Sequence, residues 1–342
     1  MWIDLRSDTV TKPTPEMLEA MRNAEVGDDV FDEDPTVKAL EQKLAKMFSM
    51  EAGLFCPSGT MTNQIAIRLF TQPQSEVICD KLAHVHNFEG GGIAYNSFAT
   101  TKLLDGKRGV FTAEDVLENI QPDNIHYPQT SLVVIENTVN KGGGSFYRLS
   151  EIMNISKVCK ENNLFLHLDG ARIFNALEET KEKPEEYGQY FDGISICLSK
   201  GLGAPIGSVL LASKENIKKG KRIRKVLGGG MRQAGFLAAA GIYALDNNIR
   251  RLKDDHKRAQ KIEKMLSSIS IIESIIPVCT NIVICNFKAE KDAQQLVNFL
   301  KDNKILVGHF AKKSARMVTH LDFNDEMLTR FEEVILKFKG KF

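Results

Sequence analysis

Short apolar runs alternate with helical patterns through residues 75–212 of the chain. These runs are almost continuously apolar, as strands are when both faces of a sheet are covered. Because longer helical segments separate them, the pattern predicts a mostly parallel sheet flanked by helices. The predicted strands are 77–80, 132–136, 165–169, 194–198 and 208–211.

Two predicted helices begin with recognisable caps. Asp34-Pro35 precedes apolar residues at helical spacing, which combines an N-cap with proline at the first helical position. Thr112 and Asp115 have the spacing of a capping box, with Asp in place of the usual Glu. Both signals indicate where a helix starts.

The pattern changes after a long helical stretch near residues 231–268. The following predicted elements are a strand (281–287), a helix (292–303), two strands (305–307 and 315–319) and a helix (325–337). We therefore expect an α/β protein with a large domain at residues 1–246, including an N-terminal segment. A smaller C-terminal α/β domain is expected at 247–342.

Charge and composition exclude several classes of function. The 45 basic residues nearly balance the 44 acidic ones, which removes the usual electrostatic basis for binding nucleic acid or an anionic membrane. The N-terminus is charged from Asp4 onward, and the longest apolar stretch, 234–245, is shorter than the roughly 20 residues that span a bilayer. Six cysteines without a C-x-x-C pair predict reduced thiols, no metal site and a cytoplasmic protein.

Asp169 and Lys200 are the most informative pair of polar residues. Each follows an apolar strand pattern, so both are expected at the carboxyl edge of the sheet, where open α/β sheets bind ligands. A lysine and a carboxylate there suit pyridoxal phosphate, which needs an amine for a Schiff base and a partner for its pyridinium nitrogen. The alternative is an ordinary loop lysine and a helix-capping aspartate.

A possible phosphate site comes earlier in the chain. Ser58, Gly59 and Thr60 lead directly into a helical pattern, so their N–H and hydroxyl groups would lie at a helix N-terminus. Such a terminus binds anions. Plain helix capping would give the same residues.

The glycine cluster at 201–207 superficially resembles a dinucleotide fingerprint. A true fingerprint is followed by the helix that holds the pyrophosphate. Here the next segment, 208–212, has the pattern of a strand. The strand pattern that follows the cluster therefore argues against a nicotinamide site.

Several longer motifs together resemble the threonine aldolases of the β-eliminating lyase group. They occur in order along nearly the whole chain, and their length makes chance agreement improbable. The motifs are the segments 4–11, 27–30, 33–36, 58–61, 168–172, 198–203, 228–233 and 319–322.

The resemblance implies a fold-type I pyridoxal phosphate enzyme. Such an enzyme is usually a homotetramer, a dimer of dimers with active sites at the subunit interface. Its substrates are small β-hydroxy-α-amino acids such as L-threonine and L-allo-threonine, which it cleaves to glycine and an aldehyde.

The resemblance also implies roles for individual residues. Lys200 would form the Schiff base, and Asp169 would partner the ring nitrogen. The remaining residues divide into a cofactor set and a substrate set. The cofactor set is Arg172 at the ring hydroxyl, Ser58, Gly59 and Thr60 at the phosphate, His84 stacked on the ring, and Lys225 and Arg232 reaching the phosphate across the interface. The substrate set is Arg316 at the carboxylate, Ser7 beside it and His126 near the hydroxyl.

The catalytic base is left open between His84, His126 and a water molecule, because either imidazole titrates near the working pH and could act directly or through water. The preference between L-threonine and L-allo-threonine is also left open.

The chain departs from the family pattern at three places. Phe31 replaces a frequent tyrosine, Val139 replaces a common histidine, and the loop at 141–144 contains three glycines and is expected to be unusually flexible. The charged run 214–225 predicts a solvated helix face, from which only Lys225 is exempted by the resemblance.

Three alternatives share parts of the pattern. Another β-eliminating lyase, a racemase or an aminotransferase could use the same cofactor set, since only the orientation of the reacting bond differs. A non-catalytic pyridoxal phosphate carrier would not need Arg316, Ser7 and His126. A nicotinamide dehydrogenase is the third alternative.

Overall fold

The computed structural model of this protein describes residues 2–339; the outermost residues of the two predicted domains, 1 and 340–342, lie outside the described residues. The strands are β1 (Ile3–Asp4), β2 (Ala52–Cys56), β3 (Ser75–Asp80), β4 (Thr100–Leu104), β5 (Gln129–Glu136), β6 (Phe165–Gly170), β7 (Gly193–Cys197), β8 (Ser208–Ala212), β9 (Ile272–Ile275), β10 (Ile282–Phe287), β11 (Ile305–Leu306), β12 (Gly308–Ala311) and β13 (Ser314–Val318).

The helices cover both faces of the larger sheet and one side of the smaller one. They are α1 (Pro15–Arg22), α2 (Pro35–Met47), α3 (Gly59–Phe70), α4 (His84–Asn87), α5 (Gly92–Ser97), α6 (Ala113–Glu118), α7 (Leu149–Glu161), α8 (Ile173–Thr180), α9 (Lys214–Val226), α10 (Gly235–Asn247), α11 (Leu252–Leu266), α12 (Glu290–Asp302) and α13 (Asp325–Lys339). Within residues 2–339, no helix is both long and apolar enough to cross a membrane.

The central sheet has the strand order β2-β8-β7-β6-β5-β3-β4. Strands β4, β3, β5, β6 and β7 are parallel, whereas β8 runs antiparallel to both β7 and β2. The five predicted strands and the mostly parallel sheet are confirmed. The prediction missed β2 and β4 of this sheet. Strand β4 lies at the edge and is mostly exposed or half-buried, so its sequence contains no continuous apolar run.

The predicted helix starts are confirmed by their hydrogen bonds. The Asp34 carboxylate accepts the backbone N–H of Val37 at 2.9 Å. In the capping box, the Thr112 N–H donates to the Asp115 carboxylate at 2.7 Å, and the reciprocal bond is also present. The helical stretch near 231–268 divides into α10 and α11.

The C-terminal part contains an antiparallel sheet of order β12-β13-β10-β9. Its hydrophobic cluster is separate from the two clusters that cover the faces of the larger sheet. The N-terminal residues Ile3 and Leu5 belong to this C-terminal cluster, and β1 pairs with β11. The start of the chain therefore packs against its C-terminal part.

The glycine loop at 141–144 is not the flexible segment that the sequence suggested. Gly142, Gly143 and Gly144 are buried, and the Arg108 Nε–H donates to the Gly142 carbonyl at 2.9 Å. Gly144 has a φ of +75°, and a Cβ there would lie 2.1 Å from the Thr280 Oγ1. The glycines thus permit close packing against the C-terminal part, because a side chain would occupy the same space.

The charged helix α9 departs from its predicted solvated face at one position. Arg224 is only 4% exposed, donates to the Phe55 carbonyl at 2.7 Å and forms an ion pair with Asp29 at 2.8 Å. This arginine anchors α9 to β2, whereas Lys225, the residue exempted from the solvated face, is exposed in the single chain.

Candidate active site

The carboxyl ends of β6 and β7 meet the N-terminus of α3 around a cavity of about 190 Å³. This is the edge at which parallel α/β sheets bind ligands. The structure brings six of the predicted residues together there. They are Ser58, Gly59, Thr60, His84, Asp169 and Lys200.

Lys200 lies in a loop that is held from several sides. The Gly203 N–H donates to the Lys200 carbonyl at 2.8 Å, and Gly203 has a φ of +80°. The Asn248 side chain donates to the Leu202 carbonyl at 2.7 Å. The segment after this loop is strand β8, so the helix that a dinucleotide fingerprint requires does not follow it.

The N-terminus of α3 opens onto the cavity. The Ser58 Oγ caps the helix by accepting the Met61 N–H at 3.2 Å, while the N–H groups of Gly59 and Thr60 precede the first helical hydrogen bond. A Cβ at position 59 would lie 2.5 Å from the Cys197 Sγ. Glycine is therefore required for this close approach, and the same residues can both cap the helix and bind an anion.

Asp169 is 2% exposed, and both of its carboxylate oxygens are oriented by neutral donors. The Asn63 Nδ2 donates to Oδ2 at 3.0 Å, and the Ala171 N–H donates to Oδ1 at 3.1 Å. Within residues 2–339 no lysine or arginine forms an ion pair with this carboxylate. A buried carboxylate without a cation is suited to a cationic ligand group such as a protonated ring nitrogen.

His84 faces the same cavity through a network that includes Glu89. Its Nδ1 lies 3.0 Å from the Glu89 Oε1, and the Asn63 Nδ2 donates to that oxygen at 2.9 Å. Burial lowers the pKa of His84, but the hydrogen bond to Glu89 and the charge of Asp169 outweigh burial, so the pKa is raised. Because Nδ1 is engaged by Glu89, Nε2 is the nitrogen left for a ligand.

The ligand atoms of His84, Glu89 and Asp169 lie within 4.8 Å of one another, a spacing that a metal ion could also use. The Asn63 amide already bridges the two carboxylates. His167 approaches the other end of that amide, with its Nε2 3.1 Å from the Asn63 Oδ1. The amide is thus fixed on both sides by protein groups.

Arg172 is buried in an ion pair with Asp8. Its Nε and Nη2 each donate to one oxygen of that carboxylate at 2.7 Å, and Asn281 adds a third donor at 3.3 Å. Burial opposes ionisation of Asp8, but the charge of Arg172 holds its pKa well below the ordinary value. Ser7 directly precedes Asp8, and its Oγ accepts the Thr9 N–H at 3.2 Å.

Arg316 lies on β13, and its described partners are uncharged. Nη1 donates to the Asn140 Oδ1 at 2.7 Å, and Nη2 donates to the Arg6 carbonyl at 3.0 Å. Its Nε is buried and has no hydrogen-bond acceptor within residues 2–339. Burial and the nearby charge of Arg172 lower the pKa of Arg316 to about 10.

Three predicted residues lie away from this chain's own cavity. His126 is exposed in the loop before β5, at the amino end of a strand whose carboxyl end faces the site. Lys225 is exposed at the end of α9, and Arg232 donates to the Asp28 carboxylate at 2.9 Å. Within a single chain, none of the three lines the cavity. The lining also lacks three other predicted residues: Ser7, Arg172 and Arg316.

Sequence reasoning missed four residues of the network: Asp8, Asn63, Glu89 and Glu136. Two of them had a usable signal. Asn63 is four residues after Gly59, one helical turn along the predicted helix. Asp8 belongs to the N-terminal motif at residues 4–11, although nothing in that motif identifies Arg172 as its partner.

Comparison with known proteins agrees with this geometry. Residues 4–290 match the family described as Beta-eliminating lyase. The chain belongs to the β-eliminating lyase family. This confirms the predicted resemblance and, with it, a pyridoxal phosphate-dependent lyase of fold type I.

Two curated relatives align over nearly the whole chain. The low specificity L-threonine aldolase of Escherichia coli (strain K12) is 41% identical over 327 residues, covering 95% of this chain and 96% of the relative. The low-specificity L-threonine aldolase of Candida albicans is 40% identical over 344 residues, covering 98% and 89%. The solved structure of Leishmania major threonine aldolase has the same fold, with a TM-score of 0.85 at 21% identity and coverage of 98% and 99%.

Proposed function

We propose that this family member cleaves L-threonine, L-allo-threonine and related β-hydroxy-α-amino acids to glycine and an aldehyde. The observation that carries the proposal is the convergence of Lys200, Asp169 and His84 on one cavity at the N-terminus of α3. The names of the full-length relatives support the same substrate class.

The residues of the cavity fit pyridoxal 5′-phosphate. Lys200 would hold the cofactor covalently, Asp169 would bind the ring nitrogen, and the N-terminus of α3 at Ser58, Gly59 and Thr60 would bind the phosphate. Arg172 would offer Nη1 to the ring hydroxyl, because Asp8 occupies its Nε and Nη2. When bound, the cofactor supplies a ring that accepts the electron pair of a bond broken at Cα.

Arg316 is the proposed carboxylate anchor. Its guanidinium is oriented by Asn140 and by the Arg6 carbonyl. Each of them accepts one N–H of a terminal nitrogen, Nη1 or Nη2, and leaves the other N–H for a substrate oxygen. An anchored carboxylate fixes which bond at Cα stands perpendicular to the cofactor ring. For aldol cleavage this bond must be Cα–Cβ.

His84 is the proposed proton acceptor within this chain. Glu89 holds Nδ1, so Nε2 can take the proton of the β-hydroxyl group as the Cα–Cβ bond breaks and the aldehyde leaves. A proton delivered to Cα then gives glycine. His126 could serve only if a second copy of the chain supplies it, since it lies at the opposite edge of its own sheet.

We also propose a homotetramer, a dimer of dimers with active sites at the subunit interface. Exposed apolar side chains beside two of the three outlying residues support this arrangement: Ile125 and Tyr127 flank His126, and Val226 follows Lys225. In such an assembly Lys225 and Arg232 would reach the phosphate of a neighbouring site. Sedimentation velocity tests the assembly, and cell fractionation tests the predicted cytoplasmic location.

The first experiment measures acetaldehyde release from L-threonine and L-allo-threonine, each with cofactor-saturated protein. We expect release by the wild type and its loss, by at least about 10³-fold, in Lys200→Ala, because the variant cannot hold the cofactor covalently. Lys157→Ala is the matched control, since Lys157 is 73% exposed on α7.

Two outcomes would contradict the proposal. Wild-type release by Lys200→Ala would remove this lysine from the mechanism. Absence of release by the wild type, together with formation of a keto acid from amino acids, would assign the site to transamination instead.

A further inference from the structure

A buried carboxyl group that the proposed mechanism does not use lies where β5 ends. Glu136 is 6% exposed and is the register partner of Asp169 on β6. Burial raises the pKa of Glu136 to about 7, and the charge of Asp169 adds to this effect. Burying a second acid beside Asp169 is unfavourable, so the interactions of Glu136 must offset this cost.

Each oxygen of Glu136 accepts one backbone N–H group. Oε2 accepts from the N–H of His84 at 2.9 Å, and Oε1 accepts from the N–H of Asn140 at 2.9 Å. The residue before His84, Ala83, offers no side-chain cap to α4. Glu136 therefore supplies the acceptor that the first turn of this short helix needs.

The hydrogen bonds continue from Asn140 to the proposed carboxylate anchor. The Asn140 Oδ1 accepts from the Arg316 Nη1 at 2.7 Å. A single carboxyl group thus connects the backbone of His84 on one side with Arg316, through Asn140, on the other.

We propose that Glu136 is a positioning residue that sets the separation between His84 and Arg316. The proposal rests on the proposed function, in which Arg316 binds the substrate carboxylate and His84 accepts the β-hydroxyl proton. With the carboxylate fixed at one end, this separation determines how closely the hydroxyl of each β-carbon epimer approaches His84. Glu136 therefore contributes to the ratio of L-threonine to L-allo-threonine cleavage without touching either substrate.

Only a carboxyl group can make both bonds. A glutamine at position 136 would offer one carbonyl oxygen and one NH2 group, and the NH2 group would face a second donor. One of the two N–H groups would then lose its acceptor and shift. The expected defect is one of geometry, and displacements near 1 Å reduce catalytic rates by about 10²-fold.

The test compares Glu136→Gln with Glu41→Gln in the full-length protein. Glu41 is a matched control because burial also raises its pKa to about 7 and because its carboxylate also accepts a backbone N–H, that of Phe55, at 2.7 Å. It lies outside the cavity. We measure the affinity of the cofactor for the apoprotein and the melting temperature. We also measure the affinity of glycine for the holoenzyme, from the change in cofactor absorbance, and kcat and KM for both substrates.

We expect Glu136→Gln to bind cofactor within about threefold of the wild type while its kcat falls by about 10- to 100-fold. The ratio of kcat/KM for the two epimers should change by about threefold or more, and Glu41→Gln should match the wild type in every quantity. Unchanged kcat and epimer ratio in Glu136→Gln would overturn the proposal. So would a loss of kcat fully explained by weaker cofactor binding.

Asn140→Ala provides a second test, since it breaks only the arm that leads to Arg316. We expect weaker glycine binding and a higher KM in this variant, and non-additive losses when it is combined with Glu136→Gln. Strict additivity would contradict the shared hydrogen-bond path. If the wild type cleaves neither epimer, the proposed function fails, but the glycine affinity still tests the path: it must weaken in both Glu136→Gln and Asn140→Ala.

Discussion

Two arginines at the candidate site illustrate two ways of keeping a charge inside a protein. Arg172 meets Asp8 through two hydrogen bonds of 2.7 Å each, so its charge is compensated within the chain. Arg316 meets an amide oxygen, a backbone carbonyl and the Phe310 ring, none of them charged, and its Nε has no acceptor in the described part of the chain. Arg172 is therefore part of a buried ion pair, whereas Arg316 is oriented by neutral acceptors and has no anionic hydrogen-bond partner in the described part of the chain.

The difference distinguishes a cation that Asp8 already neutralises from one whose charge can still bind an anion. A buried ion pair is strongly destabilised when one partner is removed, because the other charge stays buried alone. An arginine held by neutral acceptors lowers stability until an anion arrives, so its charge is available for binding. Asp169 is the anionic counterpart, since neutral donors hold it and no arginine or lysine within residues 2–339 pairs with it.

The largest expected effect comes from removing the compensating anion. Asp8→Asn should lower the free energy of unfolding by about 3–5 kcal/mol, because Arg172 would remain buried without its partner. Urea denaturation measures this loss. The control is Asp32→Asn, whose ion pair with Lys221 is exposed on both sides and should contribute less than about 1 kcal/mol. Equal losses in the two variants would contradict the contrast.

Lowering the pH should reduce the difference in unfolding free energy between the wild type and Asp8→Asn. The pKa of Asp8 in the folded protein lies below its ordinary value of 3.8, so the folded state binds fewer protons at this group than the unfolded state. Its stabilising contribution is complete above that ordinary value and declines as pH falls toward the folded pKa. The difference in unfolding free energy between wild type and Asp8→Asn should therefore stay constant from pH 6 to about pH 4 and begin to narrow as the pH falls to 3. Parallel curves would show that the pair does not titrate in this way.

Removing Arg316 should affect binding rather than stability. Arg316→Gln should raise KM for L-threonine by about 10- to 100-fold, the loss expected for a charged hydrogen-bonded contact. The unliganded variant should be as stable as the wild type or more stable by about 1 kcal/mol. Burial depresses the pKa of Arg316, so removing this charge should stabilise the protein, and the partial exposure of the side chain keeps the stabilisation small.

Steady-state kinetics and urea denaturation of the same preparation give both values. Arg22→Gln, an arginine 72% exposed on α1, is the control and should leave both unchanged. An Arg316→Gln variant with normal KM, or with a stability loss like that of Asp8→Asn, would make the two arginines equivalent.

The sequence predicted the residues that carry local signals. Asp169 and Lys200 follow apolar strands, and Ser58 precedes a helix, so position along one element was enough to place them at the carboxyl edge. The cap at Asp34 was readable for the same reason. These features depend on neighbours within a few residues.

Residues defined by distant partners were missed. Asp8 meets an arginine 164 positions away, and the Arg6 carbonyl that holds Arg316 is a backbone group with no sequence signature. The glycine loop at 141–144 was misinterpreted because glycine permits both flexibility and close packing, and only Arg108 and Thr280 show which applies. His126 precedes a predicted strand, so the rule that placed Asp169 at the carboxyl edge puts His126 at the amino edge, away from the cavity of its own chain. Only the family resemblance assigned it to the site.

The pairing of β1 with β11 has a consequence for synthesis on the ribosome. Ile3 leaves the ribosome about 300 residues before its partner Ile305, which is roughly 15–60 s at ordinary elongation rates. Arg6 and Asp8 lie just beyond this strand. A nascent chain can therefore form the central sheet and its lysine loop before its substrate anchor, which assembles only after Arg316 has emerged.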